Sequence, residues 1–197
     1  MLAAMLPRLG SSKLVSGWIK ITLIASIIAA MDGGWLAGWL ALEPARIWRG
    51  ELWRLATWVF IVPGPLMLIL TCACMYRLGD DLAHRWGDRR LRRFLIEIIG
   101  GAAVATAVVG LVLWPIWHLR HVGGWAVCDT LVIAWARQYP ERVLRLYGLL
   151  DLSGRSLIAV TVGITCLYAI YVGVLPMLPE LAACFAAYYY PRARLMR

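Results

Sequence analysis

The chain has 197 residues, of which 62% are hydrophobic, and its mean hydropathy is +0.73. Soluble domains are nearer half apolar, so this composition excludes an ordinary soluble protein and predicts an integral membrane protein. The formal net charge is +9. We attribute this excess to the basic loops typical of membrane proteins rather than to nucleic-acid binding. The lipid bilayer is therefore the first expected partner, and no nucleic-acid partner is predicted.

Apolar stretches predict six membrane spans in a single domain, residues 1–197. The predicted spans are residues 14–31, 55–76, 94–115, 122–136, 157–174 and 181–190. A helix of about 20 apolar residues crosses the ~30 Å hydrocarbon core. The sequence Pro63-Gly64-Pro65 predicts a broken entry to the second span, because proline cannot continue a helix. The expected fold class is therefore an all-α membrane protein with six transmembrane helices.

The positive charges divide unequally between the two predicted sides of the membrane. All but four of the 20 Lys and Arg residues fall in the N-terminus, the second-to-third loop, the fourth-to-fifth loop and the tail. The four on the opposite side are Arg46, Arg49, Arg54 and Arg120. Because basic loops stay in the cytoplasm, this division predicts that both termini are cytoplasmic.

Neither the cysteines nor the histidines predict a metal centre or a cofactor site. The five cysteines lie in apolar segments, where cysteine packs as a small hydrophobic residue, and their spacing gives no disulfide framework. They are Cys72, Cys74, Cys128, Cys166 and Cys184. His118 and His121 have the spacing of two metal ligands, but hydrated histidines in a loop at the membrane interface are more common. We therefore expect no bound metal and no cofactor.

Several short motifs carry a resemblance to a known superfamily. They are Trp53-Arg54 in the first loop, Gly79, Leu82 and Trp86-Gly87 after the second span, and Pro140 after the fourth. In order and spacing the chain resembles the rhomboid superfamily over about residues 15–190. The resemblance implies a six-helix rhomboid-like bundle. It also implies that Trp53 and Arg54 anchor the first loop at the outer interface, and the usual aromatic belt of membrane proteins predicts the same.

The catalytic positions of rhomboid proteases are not matched. Those enzymes use a Ser in a Gly-x-Ser-Gly motif of the fourth span, a His in the sixth, and a His and an Asn in the second. This sequence has Trp125 at the Ser position, Met67 and Thr71 in the second span, and most nearly Glu180 in the sixth. Serine-type catalysis needs an activated hydroxyl and oxyanion donors. The resemblance therefore implies a rhomboid-like pseudoprotease, similar to Derlins or to non-peptidase bacterial rhomboids, and not an enzyme.

The acidic residues inside the predicted spans need an explanation, because carboxylates are costly in lipid. Glu97 is expected to pair with Arg93, one turn away. Asp129 lies one turn beyond Trp125 on the same face and is expected to point into the bundle. Glu180 is expected to approach from the sixth span and to accept a hydrogen bond from the Trp125 indole. Two interpretations remain open: a polar plug in place of a catalytic pocket, or a site that binds a polar residue of a client or a proton.

Trp125 itself is large for a site where rhomboids place a small Ser. We expect it to push the fourth span away from the sixth, or to fill space beside Ala183 and Ala187. Cys128 offers a different nucleophile, if His118 or His121 folds back toward it, although nothing in the sequence fixes that geometry.

The expected function is therefore that of an inactive rhomboid-like adaptor or chaperone, which binds transmembrane segments of client or partner proteins. One alternative is a structural subunit of a larger membrane complex. A less favoured alternative is an active intramembrane serine-type protease with a rearranged site. Because the arginine-rich composition is associated with GC-rich genomes, the expected location is a bacterial inner membrane, with an organellar membrane as the alternative.

Overall fold

The structure, a computed structural model, describes residues 12–146 and 150–191, which are predominantly helical. The helices are α1 (Lys13–Met31), α2 (Trp35–Leu40), α3 (Pro44–Ile47), α4 (Arg54–Thr57), α5 (Pro65–Cys74), α6 (Asp80–Trp86), α7 (Asp88–Val112), α8 (Trp114–Trp117), α9 (Gly124–Gln138), α10 (Gly154–Val172) and α11 (Leu178–Tyr189). A 3-10 turn, Trp58–Phe60, follows α4, and a π-helical turn, Met75–Gly79, joins α5 to α6.

Three of the helices in the described part of the chain, α1, α7 and α10, are long and apolar enough to cross a membrane. A fourth span results if the bent pair Arg54–Phe60 and Pro65–Trp86 is counted as one. The prediction of a helical membrane protein is therefore confirmed. The other two predicted spans correspond to α9 and α11, which have 15 and 12 residues and are shorter than a full span.

The second span differs from its prediction at both ends. The chain bends by 104° between Arg54–Phe60 and Pro65–Trp86, so the predicted start at residue 55 lies outside the straight segment. Gly64, with φ +81°, makes the turn, and Pro65 begins the new helix with a φ that suits a first helical position. The helical path then continues to Trp86 rather than ending near residue 76.

The bundle is built around α7 and α9. Helix α11 packs against both of them, α10 packs on α9, and α5 packs on α9 as well. Small residues permit the close approach of α11 and α7, among them Ala183 and Ala187 on α11 and Ala103 on α7, all buried. Trp135 of α9 is also fully buried and is one of the largest core side chains.

A short hairpin interrupts the otherwise helical chain. Strands β1 (Val143–Leu146) and β2 (Leu150–Ser153) pair antiparallel between α9 and α10. The sequence Val-Leu-Arg-Leu of β1 has a β-branched residue and an Arg flanked by apolar residues, a pattern closer to the two-residue period of a strand than to a helix.

Hydrogen bonds between the ends of several helices bring the arginine-rich loops to the same end of the bundle. The backbone N–H of Ser12 donates to Asp80 Oδ1 (2.9 Å), and the indole of Trp135 donates to Asp81 Oδ2 (3.2 Å). Arg137 donates to the carbonyl of Tyr190 (2.9 Å). The start of α1, the α6–α7 junction and the ends of α9 and α11 therefore share one end of the bundle, which we call the basic end.

Exposed arginines surround this end: Arg77, Arg85, Arg89, Arg92, Arg93, Arg142 and Arg155. Other residues used in the charge-based prediction, Arg8, Arg192, Arg194 and Arg197, lie outside the described residues.

Candidate polar site in the helix bundle

A buried carboxylate joins three helices. Asp129 of α9 accepts hydrogen bonds at Oδ2 from Thr165 Oγ1 of α10 (2.7 Å) and from Cys184 Sγ of α11 (3.2 Å). All three side chains are buried. The inward position of Asp129 agrees with the prediction from helical spacing. Neither of its partners was predicted, because a single Thr or Cys in an apolar span is common and gives no distinctive signal.

Trp125 faces α10, which corrects the expectation that it contacts the sixth span. Its indole N–H donates to Thr165 Oγ1 (3.1 Å), not to Glu180, and its ring stacks on Tyr168 with centroids 5.9 Å apart. Trp125 and Asp129 do lie on one face of α9, as residues four apart should. Packing against α10 sets the direction in which this face of α9 points. The spacing of the two residues alone does not reveal that direction.

Glu180 is the acidic residue of the site whose hydrogen-bonding capacity is least used. It is the third residue of α11 and only 2% exposed, and its Oε2 has no hydrogen-bond partner among the described residues. Its charge is close enough to Asp129 for the two carboxylates to interact electrostatically. In the described part of the chain, neither acid forms an ion pair.

Met67 and Thr71, the two second-span positions where rhomboid proteases have a His and an Asn, differ in their burial and contacts. Thr71 is buried, and its Oγ1 accepts a hydrogen bond from Cys128 Sγ (3.6 Å). Met67 is half-buried and lies near the start of α5. The structure therefore brings Thr71 to α9, next to the residue that bonds to Thr165, whereas the thioether of Met67 can offer only weak hydrogen bonding.

The histidines are engaged elsewhere. His121 Nδ1 donates to the carbonyl of Pro176 (2.9 Å), and His84 Nδ1 donates to the carbonyl of Asp80 (2.8 Å). His118 is exposed and lies edge-on to Trp114. Burial lowers the pKa of His121, which favours its neutral form. No imidazole is hydrogen-bonded to Cys128 in the part of the chain that the structure describes, and the described residues contain no group of three or more candidate metal ligands.

The first loop is folded around Arg54. This side chain is 0% exposed; its Nη1 donates to the carbonyls of Gly38 and Ala41 (2.7 Å each), and its Nε lies 2.6 Å from Glu51 Oε2. The bond to Arg54 holds the pKa of the Glu51 carboxyl below its ordinary value. Trp53, by contrast, is exposed and stacks on Trp39. Arg54 therefore organises the loop from inside, and Trp53 presents an aromatic surface.

The loop is also tied to the connection before α9. Leu42 and His121 exchange backbone hydrogen bonds of 2.9 Å in an isolated antiparallel bridge. Glu43 Oε2 lies 3.2 Å from Arg120 Nε. These contacts lie at the end of the bundle opposite the basic end, above Glu180 and the start of α9.

Residues 12–193 match the model of a family described as eukaryotic integral membrane protein (DUF1751). The chain belongs to this family. Membership agrees with the helices of the structure and confirms the prediction of an integral membrane protein. Because DUF1751 is described as a eukaryotic family, the predicted bacterial inner membrane has no support from it. A comparison with curated proteins finds no match.

Proposed function

We propose that this DUF1751 protein is a catalytically inactive, rhomboid-like membrane protein that binds transmembrane segments of other proteins through the side of its bundle. In this proposal the chain crosses the membrane six times, with both termini cytoplasmic, and the location is an organellar membrane. The family match supports the eukaryotic setting. The shared basic end, which holds the start of α1 and the end of α11, supports the orientation.

The lack of catalysis is supported by the chemistry of the polar site. The side chain at the expected nucleophile position is an indole, which donates to Thr165 and cannot attack a carbonyl. The hydroxyl of Thr165 is itself bonded to Asp129. His84 and His121 donate to backbone carbonyls, and His118 lies edge-on to Trp114. Among the described residues the site therefore holds no hydroxyl–imidazole pair of the kind that activates a serine-type nucleophile.

The peripheral position of α10 is the observation that carries the binding proposal. Within its most apolar 18-residue window only 17% of the helix is buried, against 44% for α7. Its exposed face bears Ile164, Leu167 and Tyr171, which lie within two turns on one side. A helix that touches the bundle chiefly through α9 leaves this face available to a membrane-embedded partner.

Site-specific photocrosslinking in native membranes tests the binding proposal. A photoreactive amino acid at Ile164 on α10 should give discrete crosslinks whose peptides map to membrane-spanning stretches of other proteins. The matched control is Ile24, an exposed apolar position on α1. Equal crosslinking at both positions, or crosslinks to lipid alone, would contradict the proposal. A single partner in stoichiometric yield would instead favour the structural-subunit alternative.

A protease assay tests the absence of catalysis. The purified protein should leave a model transmembrane substrate intact and should not react with fluorophosphonate probes for serine hydrolases. Trp125→Ser should remain inactive, because the base and the oxyanion donors are still missing. Cleavage by the unmodified protein that disappears in Cys128→Ala would establish a rearranged active site and end this part of the proposal.

Accessibility labelling tests the topology. In a background without native cysteines, Arg120→Cys should react with a membrane-impermeant maleimide on the non-cytoplasmic side, and Arg89→Cys should react only from the cytoplasmic side. Arg120 belongs to the loop above α9 and Arg89 to the basic end, and both are exposed. Labelling of both from the same side would refute the six-span arrangement.

A further inference from the structure

Two acidic side chains lie close together inside the membrane part of the bundle. Glu180 is the third residue of α11, and Asp129 is the sixth residue of α9, about 7.5 Å from the start of that helix at 1.5 Å per residue. They are 2% and 3% exposed, and Cys184, one turn after Glu180 on α11, donates a hydrogen bond to Asp129 (3.2 Å). The pair therefore lies in the half of the bundle that is opposite the basic end.

Three other acidic residues of the bundle and its loops show what is missing here. Glu97 accepts from the Tyr190 hydroxyl (2.6 Å) and lies 3.7 Å from Arg93. Glu51 is paired with Arg54, and Asp81 lies 3.6 Å from Arg142. Each of these three carboxylates lies close to an arginine, and each is more exposed than Glu180 and Asp129. Glu180 and Asp129 have no cation among the described residues, and Glu180 Oε2 has no hydrogen bond there at all.

An ionised carboxylate in an apolar environment is costly unless a cation and hydrogen-bond donors accompany it. Asp129 has donors, Thr165 and Cys184, whereas the part of the chain that the structure describes supplies no cation. We propose that Glu180 and Asp129 form the binding site for a basic side chain, Lys or Arg, carried by a transmembrane segment of a partner protein. This inference rests on the proposed function, because it names the chemistry of the segment that the bundle binds.

The position of α10 explains how such a side chain reaches the pair. Thr165 of α10 bonds to Asp129 and to Trp125, and Tyr168 of α10 stacks on Trp125, so these side chains lie on the α10 side of Asp129. Lys and Arg carry their charge at the end of a long apolar stem, so a partner helix can remain beside α10 while its charged group extends inward. A metal ion is a poorer fit, since the acids do not form a group of three or more suitable ligands among the described residues.

The test uses the full chain reconstituted in nanodiscs and three synthetic transmembrane peptides. The peptides are identical leucine–alanine helices that carry Lys, Gln or Leu at one position in the outer third, and binding is measured by energy transfer. The Lys peptide should bind at least about tenfold more tightly than the Gln peptide. Glu180→Gln should abolish this preference, and Asp129→Asn should weaken it. Glu97→Gln is the matched control and should retain it, because Glu97 already has partners.

The outcomes separate this inference from the proposed function. Equal binding of all three peptides would overturn the basic-side-chain site while leaving transmembrane binding intact. Equal binding of the Lys and Gln peptides would show recognition of polarity rather than of charge and would also overturn it. A Lys preference that survives both acid variants would place the site elsewhere and refute the assignment. Binding of none of the peptides would contradict both proposals, provided that thermal unfolding shows a folded protein.

Discussion

Thr165 donates a hydrogen bond of 2.7 Å to Asp129, and this bond joins the peripheral helix α10 to the central helix α9. Both side chains are buried, and the same hydroxyl accepts the indole N–H of Trp125. A single hydroxyl thus links two polar groups of α9 to α10. Helices in a membrane gain little from apolar burial against one another, so polar contacts of this kind have a large part in holding α10 in place.

Removal of this hydroxyl should loosen the bundle. Thr165→Val keeps the shape of the side chain but removes the acceptor of the Trp125 indole and leaves the Asp129 carboxylate with Cys184 as its one donor among the described residues. We expect a loss of about 1–3 kcal/mol in the free energy of unfolding, the usual cost of an unsatisfied buried polar group. Thermal unfolding in mild detergent measures it, with Thr161→Val, one turn away and less buried, as the control. Equal effects of the two substitutions would show that the hydrogen bonds contribute nothing.

The start of α9 leaves no room for a side chain at Gly123. A Cβ atom there would overlap the ring of Trp58, which is fully buried. Gly123→Ala should therefore cost about 1–3 kcal/mol of stability through overpacking. Gly101→Ala on α7 is the control, since nothing lies within 4 Å of its Cβ position, and it should be neutral or slightly stabilising. A neutral Gly123→Ala would mean that Trp58 does not pack on this glycine.

The Glu51–Arg54 ion pair should make the first loop sensitive to acid. The folded-state pKa of Glu51 lies below the ordinary value of 4.5, so the unfolded chain binds the proton more readily. The pair therefore stabilises the protein fully above pH 4.5, and its contribution is lost as the pH falls below that value. Melting temperatures measured from about pH 6 to about pH 3.5 should show the protein and its Glu51→Gln variant converging at the acidic end. A constant difference would exclude this role for Glu51.

His121 should give a second pH dependence in a different range. Burial lowers its pKa below 6.5, so in acid the unfolded chain takes up the proton first and stability falls as the pH drops below 6.5. The melting temperature should decrease between about pH 7.5 and about pH 5.5, and His121→Gln should reduce that decrease. His118→Gln, at an exposed position, should leave the decrease unchanged. An identical pH profile for all three proteins would refute the assignment to His121.

Hydropathy was sufficient to locate α1 and α10, each of which is a single unbroken helix long enough to cross a membrane. The predicted spans at residues 14–31 and 157–174 agree with α1 and α10 to within three residues. For the second span hydropathy failed, because the apolar stretch that begins at Leu55 continues across a 104° bend. The sequence Pro63-Gly64-Pro65 indicated a break, but only the packing of the first loop determines the direction in which the chain leaves it.

The site was predictable only in part for a similar reason. The four-residue spacing placed Trp125 and Asp129 on one face, which the structure also shows. Which neighbouring helix that face meets depends on helix rotation and tertiary packing. Consequently Trp125 was predicted to contact Glu180, whereas it contacts Thr165. The buried state of Arg54 was missed as well, because an arginine beside a Trp in a loop suggests an interfacial position rather than a core one.

The lengths of α9 and α11 have a consequence for the surrounding lipid. With 15 and 12 residues they measure about 22 Å and about 18 Å, clearly less than the ~30 Å of a typical hydrocarbon core. Lipid chains that contact these helices must shorten or tilt to match them, so we expect the membrane to be thinner on this side. Thin bilayer lowers the energetic cost of a polar group that crosses it. Neighbouring proteins with short apolar spans should therefore accumulate beside these two helices, even before any specific contact is made.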